Sequence, residues 1–220
     1  VWIKCRDVQN SHVLADSVRG SDGTRMYFLM SDNTNQQSTS NQIETLDSDG
    51  FTVFGDRSAT NRNNQEYVAW CFKAGGAPTA TNTATSGAMT ANSVSIDGTL
   101  ESAYTPTDAT IYPKKISANT KLGFSTVLFT GTGNSNNKVP HGLGVPPELI
   151  IYKNIDEARA WTVGSTPTGW NNYLVLNDTA AAADFHYFDD SVPTSNVFEI
   201  FNGQANTGND AGSDFIAYCF

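Results

Sequence analysis

Few side chains in this sequence are of the kinds that carry chemistry, and their spacing limits what that chemistry is. His141, in Pro140-His141-Gly142-Leu143-Gly144, has a side chain that titrates near neutrality and so suits a general base or a metal ligand. No second histidine lies near it in sequence, and the flanking glycines mark a tight bend. The expected use is a strand-end turn in which the imidazole caps backbone groups. Asp178, Asp184, Asp189, Asp190 and Glu199 are the carboxylates from which a glycosidase pair would be drawn. Such a pair must flank a glycosidic bond at a defined separation, which sequence does not reveal. Asp189-Asp190 precedes Ser191-Val192-Pro193 and reads as a turn, and Glu44 to Asp49 is equally acidic and turn-like. No catalytic residue is assigned, and the expectation is a non-enzyme. Asp47-Ser48-Asp49-Gly50 offers oxygen ligands, but the twelve-residue calcium loop with its closing glutamate is absent. Neither metal nor cofactor is assigned.

The elements that position these residues are strands. Hydrophobic residues make up 39% and charged residues only 16% of the 220 positions, with 18 glycines. Exposed helices favour Glu, Lys, Arg and Gln, whereas Thr, Tyr, Phe and Val suit a half-buried sheet and Gly, Asn and Asp suit its turns. A formal charge of −9 argues against a surface that tracks phosphates, so nucleic acid is set aside as a partner. No apolar run of about 18 residues provides a membrane span, and no leader pattern opens the chain. The opening Val1 is expected to lie inside a longer polypeptide.

Self-comparison sets the organisation. Val1-Trp2-Ile3-Lys4 falls on Ile150-Ile151-Tyr152-Lys153 at an offset of 149, where His12 meets Trp161 and Gly20 meets Gly169. Tyr27 to Asp32 falls on Tyr173 to Asp178 at 146, Phe51 to Phe54 on Phe198 to Phe201 at 147, and Val68 to Phe72 on Ile216 to Phe220 at 148. Four blocks in order, with the drift confined to polar turns, are the mark of a duplication. Each block is a short apolar or alternating run bounded by turn residues, the strand signature. In the second copy strands are expected at 123–130, 138–141, 148–154, 160–164, 173–177, 185–188, 197–201 and 214–220. The fold class is therefore all-β: two tandem domains like a β-sandwich or jelly-roll. The first, residues 1–72, is incomplete at its N-terminus because Val1 already stands where Ile150 stands; its opening strands are missing or supplied from upstream or by another subunit. Residues 73–122 read as a low-complexity Thr/Ala/Ser-rich connector, with edge strands expected at Val94 to Ile96 and Ala109 to Tyr112. Residues 123–220 form the complete second copy.

The repeat also sorts the aromatic and sulfur-bearing residues. Trp161, Trp170, Tyr173 and Tyr187 each offer a flat apolar face to a sugar ring, although aromatics in β domains are mostly core. Tyr173 has a matched Tyr27 and is assigned to packing. Trp170 sits in the turn Thr166 to Asn172 opposite nothing aromatic, and is the one residue assigned as a glycan contact. Cys5, Cys71 and Cys219 are odd in number and unclustered, so all three are expected to be reduced and buried.

The runs Val1-Trp2-Ile3-Lys4-Cys5-Arg6-Asp7, Tyr67-Val68-Ala69-Trp70-Cys71-Phe72-Lys73-Ala74-Gly75-Gly76, Gly123-Phe124-Ser125 and Val139-Pro140-His141-Gly142-Leu143-Gly144 resemble repeat modules of marine phage proteins, especially those of cyanophages and pelagiphages. The likeness extends through Met89 to Gly98. It implies a virion structural protein, a tail-fibre or appendage module in host attachment, exposed on the particle and extracellular after release. The partners implied are other copies of the chain, other virion proteins and a host-surface glycan. Buried reduced thiols fit a protein folded in a reducing compartment and exposed later. The rival expectations are a carbohydrate-binding lectin-like module, a polysaccharide depolymerase and a capsid or head-fibre decoration.

Overall fold

A computed structural model describes residues 1–134, 137–201 and 209–220. In the first copy, six short strands form as the alternation of apolar and polar residues requires: β1 (Trp2–Cys5), β2 (Val13–Leu14), β3 (Leu29–Met30), β4 (Ile43–Leu46), β5 (Phe51–Val53) and β6 (Tyr67–Trp70). Four of them make an antiparallel sheet in the order β3-β2-β1-β6, and β4 pairs with β5 as a separate hairpin. Ile3, Val13, Met26, Phe28 and Ile43 are buried between the two layers, with Leu46, Phe51 and Val53 packed against them.

The rest of the chain carries β7 (Val94–Ile96), β8 (Thr99–Leu100), β9 (Lys115–Asn119), β10 (Phe124–Thr130), β11 (Asn137–Pro140), β12 (Leu149–Asn154), β13 (Thr162–Ser165), β14 (Asn172–Val175), β15 (Ala183–Asp184), β16 (Val197–Ile200) and β17 (Asp214–Cys219). Nine of these form one sheet in the order β15-β14-β13-β12-β17-β10-β9-β7-β8, and β11 pairs with β16. Val127, Phe129, Ile150, Tyr152, Phe215 and Ala217 of the large sheet bury against Val139, Phe198 and Ile200 of the ribbon. Each copy is thus a broad sheet covered on one face by a two-stranded ribbon and loops, and the chain is all-β with a tandem organisation.

The duplication is visible in hydrogen-bond register. Trp2 pairs with Leu14 and Trp70 as Ile151 pairs with Val163 and Tyr218. In the third strand the structure moves the sequence match by one residue. Ser31 N–H bonds to His12 O as Leu176 N–H bonds to Trp161 O. The Asp32 carboxylate accepts from His12 N–H as the Asn177 side chain accepts from Trp161 N–H. The offset there is 145 rather than 146, so Phe28, not Tyr27, is the counterpart of Tyr173. In a strand a one-residue slip exchanges the two faces; the true counterpart Phe28 is buried in the first core, whereas Tyr173 is half-buried.

The segment 73–122 is not laid out as a connector. β9 lies inside the nine-stranded sheet between β7 and β10, and Met89, Val94, Ile111, Ile116 and Ala118 are buried in the second core. Its Ser and Ala content has a packing reason. Ser95 Oγ donates to Gly75 O at 2.6 Å and Ser117 Oγ to Gly76 O at 2.5 Å, so the tail leaving β6 lies on β7 and β9. A Cβ on Gly75 would fall inside contact distance of the Ala118 and Ser95 carbonyls, so only glycine permits the approach. Val94 to Ile96 is a strand, but not the edge strand expected: it lies between β8 and β9 and pairs in parallel with β9. Ala109 to Tyr112 is not a strand; the Thr110 and Ile111 amides donate to Lys138 O. The expected strand at 185–188 is replaced by a turn after the two-residue β15. No described helix is long and apolar enough to cross a membrane.

Candidate functional site

The most distinctive chemistry lies where the two copies meet. Asp16 follows β2, and its Oδ1 accepts from the Val18 and Arg19 amides at 3.0 and 2.8 Å, closing a tight turn. That turn folds Arg19 back, so that Nε donates to Asp16 Oδ2 at 2.6 Å and Nη2 donates to Leu14 O and to Tyr218 Oη of the other copy. Tyr218 Oη in turn donates to Asp16 Oδ2 at 2.6 Å. All three side chains are buried. Burial pushes the Asp16 carboxyl up, but Arg19 beside it, aided by the Tyr218 hydroxyl and the amides, holds it below the usual carboxylate range. The same partners raise Arg19 against its own desolvation. These bonds engage both Asp16 oxygens and Arg19 Nε and Nη2, the kind of support a buried pair requires, while the buried Arg19 Nη1 has no hydrogen-bond partner among the described residues.

Around this polar centre Leu14, Val18 and Leu29 of the first copy pack against Phe124, Ile155, Trp161, Ile216 and Tyr218 of the second. Trp161 is fully buried, stacks on Tyr218 at 6.4 Å, and donates through Nε1 to Met30 O at 3.0 Å. Gln37 N–H bonds to Ile155 O. Beside the joint opens a cleft of about 740 Å³, with Trp2, Phe72, Phe124 and Phe220 in its walls and Asp47, Asp49, Asp97, Lys73 and Lys121 among its polar lining. Phe72, Phe124 and Phe220 form a ring cluster with centroids 4.8 to 5.4 Å apart. The Asp97 carboxylate is engaged by Thr120 Oγ1 and N–H at 2.6 and 2.8 Å, and Asp47 accepts from Thr52 Oγ1. The cleft is apolar-walled and acid-rimmed, and these two carboxylates already serve as turn acceptors.

Comparison with known sequences addresses the repeat directly. The profile of one family, described as a domain of unknown function (DUF7483), matches residues 1–101 and again residues 98–220. The chain belongs to the DUF7483 family. No curated protein and no solved structure matches it. The two DUF7483 matches meet at residues 98–101, inside the segment that sequence reading sets apart as a connector and next to the β7–β8 turn.

The residues singled out from sequence are scattered over the second DUF7483 unit rather than gathered. Trp170 is a correction: it is only 5% exposed and meets Phe188 edge-on at 5.3 Å within the core. The 3₁₀ turn Thr166–Thr168 ends at Gly169 with φ 77°, and the indole that follows packs inward, so no ring face is left for a sugar. His141 is fully buried; its Nδ1 accepts from Leu143 N–H at 3.2 Å, which leaves Nε2 to donate to Thr194 O at 3.1 Å. This is the backbone-capping role expected of it, and burial lowers its pKa to about 4. Asp189 and Asp190 both adopt positive φ in a turn. Asp190 pairs with His186 at 2.6 Å, while burial, then Glu199 and Asp190, raise the Asp189 carboxyl. Tyr173 and Tyr187 do come together, with centroids 4.4 Å apart, and Phe185 and Phe201 complete a half-buried surface cluster beside His186. Cys5 and Cys219 are buried but Cys71 is exposed, which corrects its expected place in the core.

Sequence reasoning missed Asp16, Arg19 and Tyr218. At the offset of 149, Asp16 and Arg19 fall on Ser165 and Thr168, so the network has no internal counterpart. The available signal was a charge pair three residues apart that the other copy lacks. Lys153 was also passed over: it is fully buried, donates to the Asn154 and Glu157 carbonyls, and is lowered to about 8 by burial and then by Arg159.

Proposed function

We propose that this chain is a non-catalytic structural module of a virion, part of a tail fibre or similar appendage in host attachment, in which DUF7483 units stack rigidly on one another. The observation that carries the reading is the joint: an apolar face with a buried, hydrogen-bonded ion pair fixes one unit on the next without any ligand. A protein whose task is turnover concentrates perturbed groups around an open site. Here the strongly shifted groups, His141, Tyr152, Lys153, Tyr218 and Cys219, are all enclosed within the protein. The viral setting rests on the sequence resemblance. A side-chain-resolution cryo-EM map of phage particles that encode such a chain tests the proposal. Repeated units along a fibre or knob are the expected result; absence of the chain from purified particles, or cleavage of a surface polysaccharide by the purified chain, overturns it.

A second reading, glycan binding, is favoured by one specific observation. Tyr173, Phe185, Tyr187 and Phe201 form an aromatic patch with His186, Asp189 and Asp190 beside it, and aromatic faces edged by carboxylates suit sugar rings. In this reading Tyr187 takes the role first given to Trp170. A glycan array with the Tyr187→Ala chain as control decides it.

A further inference from the structure

β6 and β17 are equivalent strands with unlike neighbours. β17 is paired on both sides, by β12 and by β10. β6 pairs with β1 alone and ends its sheet. Every residue from Phe215 to Cys219 is buried, whereas Trp70 is 45% and Phe72 43% exposed, with Ala69 and Cys71 exposed between or beside them. Natural sheets blunt their edges with very short strands or with Lys and Pro. The other three outer strands of the two large sheets, β3, β8 and β15, have two residues each. β6 has four, Tyr-Val-Ala-Trp, with neither Lys nor Pro. The cleft at the joint runs to this edge: Cys71 and Phe72 line it together with Leu46 to Gly50 of the β4–β5 turn. In the second unit the position beside the equivalent Cys219 is filled by Ser125 of β10.

We propose that the free edge of β6 accepts, antiparallel, a DUF7483 strand with the pattern of β10. The second unit supplies both shape and register for the occupant. There Ser125 faces Cys219, Thr126 faces Tyr218, Val127 faces Ala217, Leu128 faces Ile216 and Phe129 faces Phe215. Carried to β6, the same strand sets its Ser opposite Cys71, Thr opposite Trp70, Val opposite Ala69, Leu opposite Val68 and Phe opposite Tyr67. Both strands are free of charged residues over this stretch, so pairing buries none. The Ser-, Val- and Phe-type residues land on the ribbon side, and the Thr- and Leu-type residues cover Trp70 and Val68 on the joint side. Main-chain bonds supply affinity and alternate side chains supply selectivity, as in other strand additions. This inference goes beyond the assembly reading and rests on the geometry of β6 and on the β10–β17 register, so a non-viral location would leave it standing.

The test uses the full chain and a synthetic peptide of residues 121–131 carrying Ser125→Cys, under mild oxidation. The proposed register brings the peptide thiol opposite Cys71, within the Cα separation a disulfide tolerates, while a Thr126→Cys peptide presents its thiol on the other face. The expected result is a disulfide to Cys71 that forms at least about tenfold faster with Ser125→Cys than with Thr126→Cys, disappears in Cys71→Ser, and is blocked by excess unsubstituted peptide. Equal rates for the two peptides and a scrambled control overturn the proposal. So does peptide-independent dimerisation through Cys71, which would make a second β6 the occupant.

Discussion

Replacing Asp16 by Asn leaves the shape of the joint almost unchanged but strands the Arg19 guanidinium in a buried site. Arg19 then keeps Leu14 O and Tyr218 Oη but loses the carboxylate at 2.6 Å. Breaking a buried pair from one side costs about 3–5 kcal/mol. For a chain of this size each kcal/mol moves the melting temperature by roughly 2–4 °C, so a fall of roughly 6–20 °C is expected at pH 7. The pH dependence carries a second signature. Asp16 is held below the usual carboxylate range, so its contribution is fully present above that range and is lost as pH falls through the lower, folded value. Calorimetry or urea unfolding between pH 7 and pH 2 should show an acid-dependent loss in the parent chain that Asp16→Asn lacks. Tyr218→Phe, which removes the hydroxyl's bonds to Asp16 and Arg19 but leaves the ion pair itself, should cost less, about 1.5–3 kcal/mol. An Asp16→Asn effect below about 1 kcal/mol at pH 7, or an unchanged acid limb, would refute the argument that this network fixes the joint.

Four further outcomes follow from other parts of the molecule. Gly75→Ala should destabilise by more than about 1 kcal/mol and increase protease cleavage near residue 75, because its Cβ meets the Ala118 and Ser95 carbonyls. Trp170→Ala should cost about 3–5 kcal/mol in urea unfolding and leave any glycan-array signal unchanged in binding per folded molecule, as befits a core residue. His141, neutral and lowered to about 4 when folded, binds its proton more tightly in the unfolded chain, so stability falls by about 3 kcal/mol as pH drops from about 6.5 to 4; His141→Gln should flatten that interval in urea midpoints. A thiol titration of the native chain with a chromogenic disulfide should count one fast cysteine, Cys71, and reach three only in denaturant.

Much of the fold was legible because its strands are short apolar runs separated by turn residues, and because the duplication shows several of them twice. The β1, β6, β12 and β17 blocks align at offsets that match the hydrogen-bond register. What escaped notice has physical causes. The third strand slipped by one residue because Tyr27 and Tyr173 look alike, while the true equivalence is carried by backbone bonds and by a capping Asp32 or Asn177. Segment 73–122 looked like linker because its core residues are few and widely spaced. Ser95, Ser117 and Ala118 are small where the backbone of Gly75 and Gly76 approaches. Trp170 looked exposed because it follows a turn and has no aromatic counterpart, but the turn leads it into the core. The joint escaped because a repeat draws the eye to what matches, and Asp16 and Arg19 are where the copies differ.

The tail Ala74-Gly75-Gly76 seats the end of one unit on β7 and β9 of the next through backbone carbonyls, and this has a consequence for geometry beyond a single junction. A rotation between neighbours that is held by glycine carbonyls and buried serine hydroxyls does not drift when surface side chains change. An array built on this junction would repeat one rotation and one rise per unit, tracing a helix of constant pitch. Its loops would be free to diversify around an axis that stays the same.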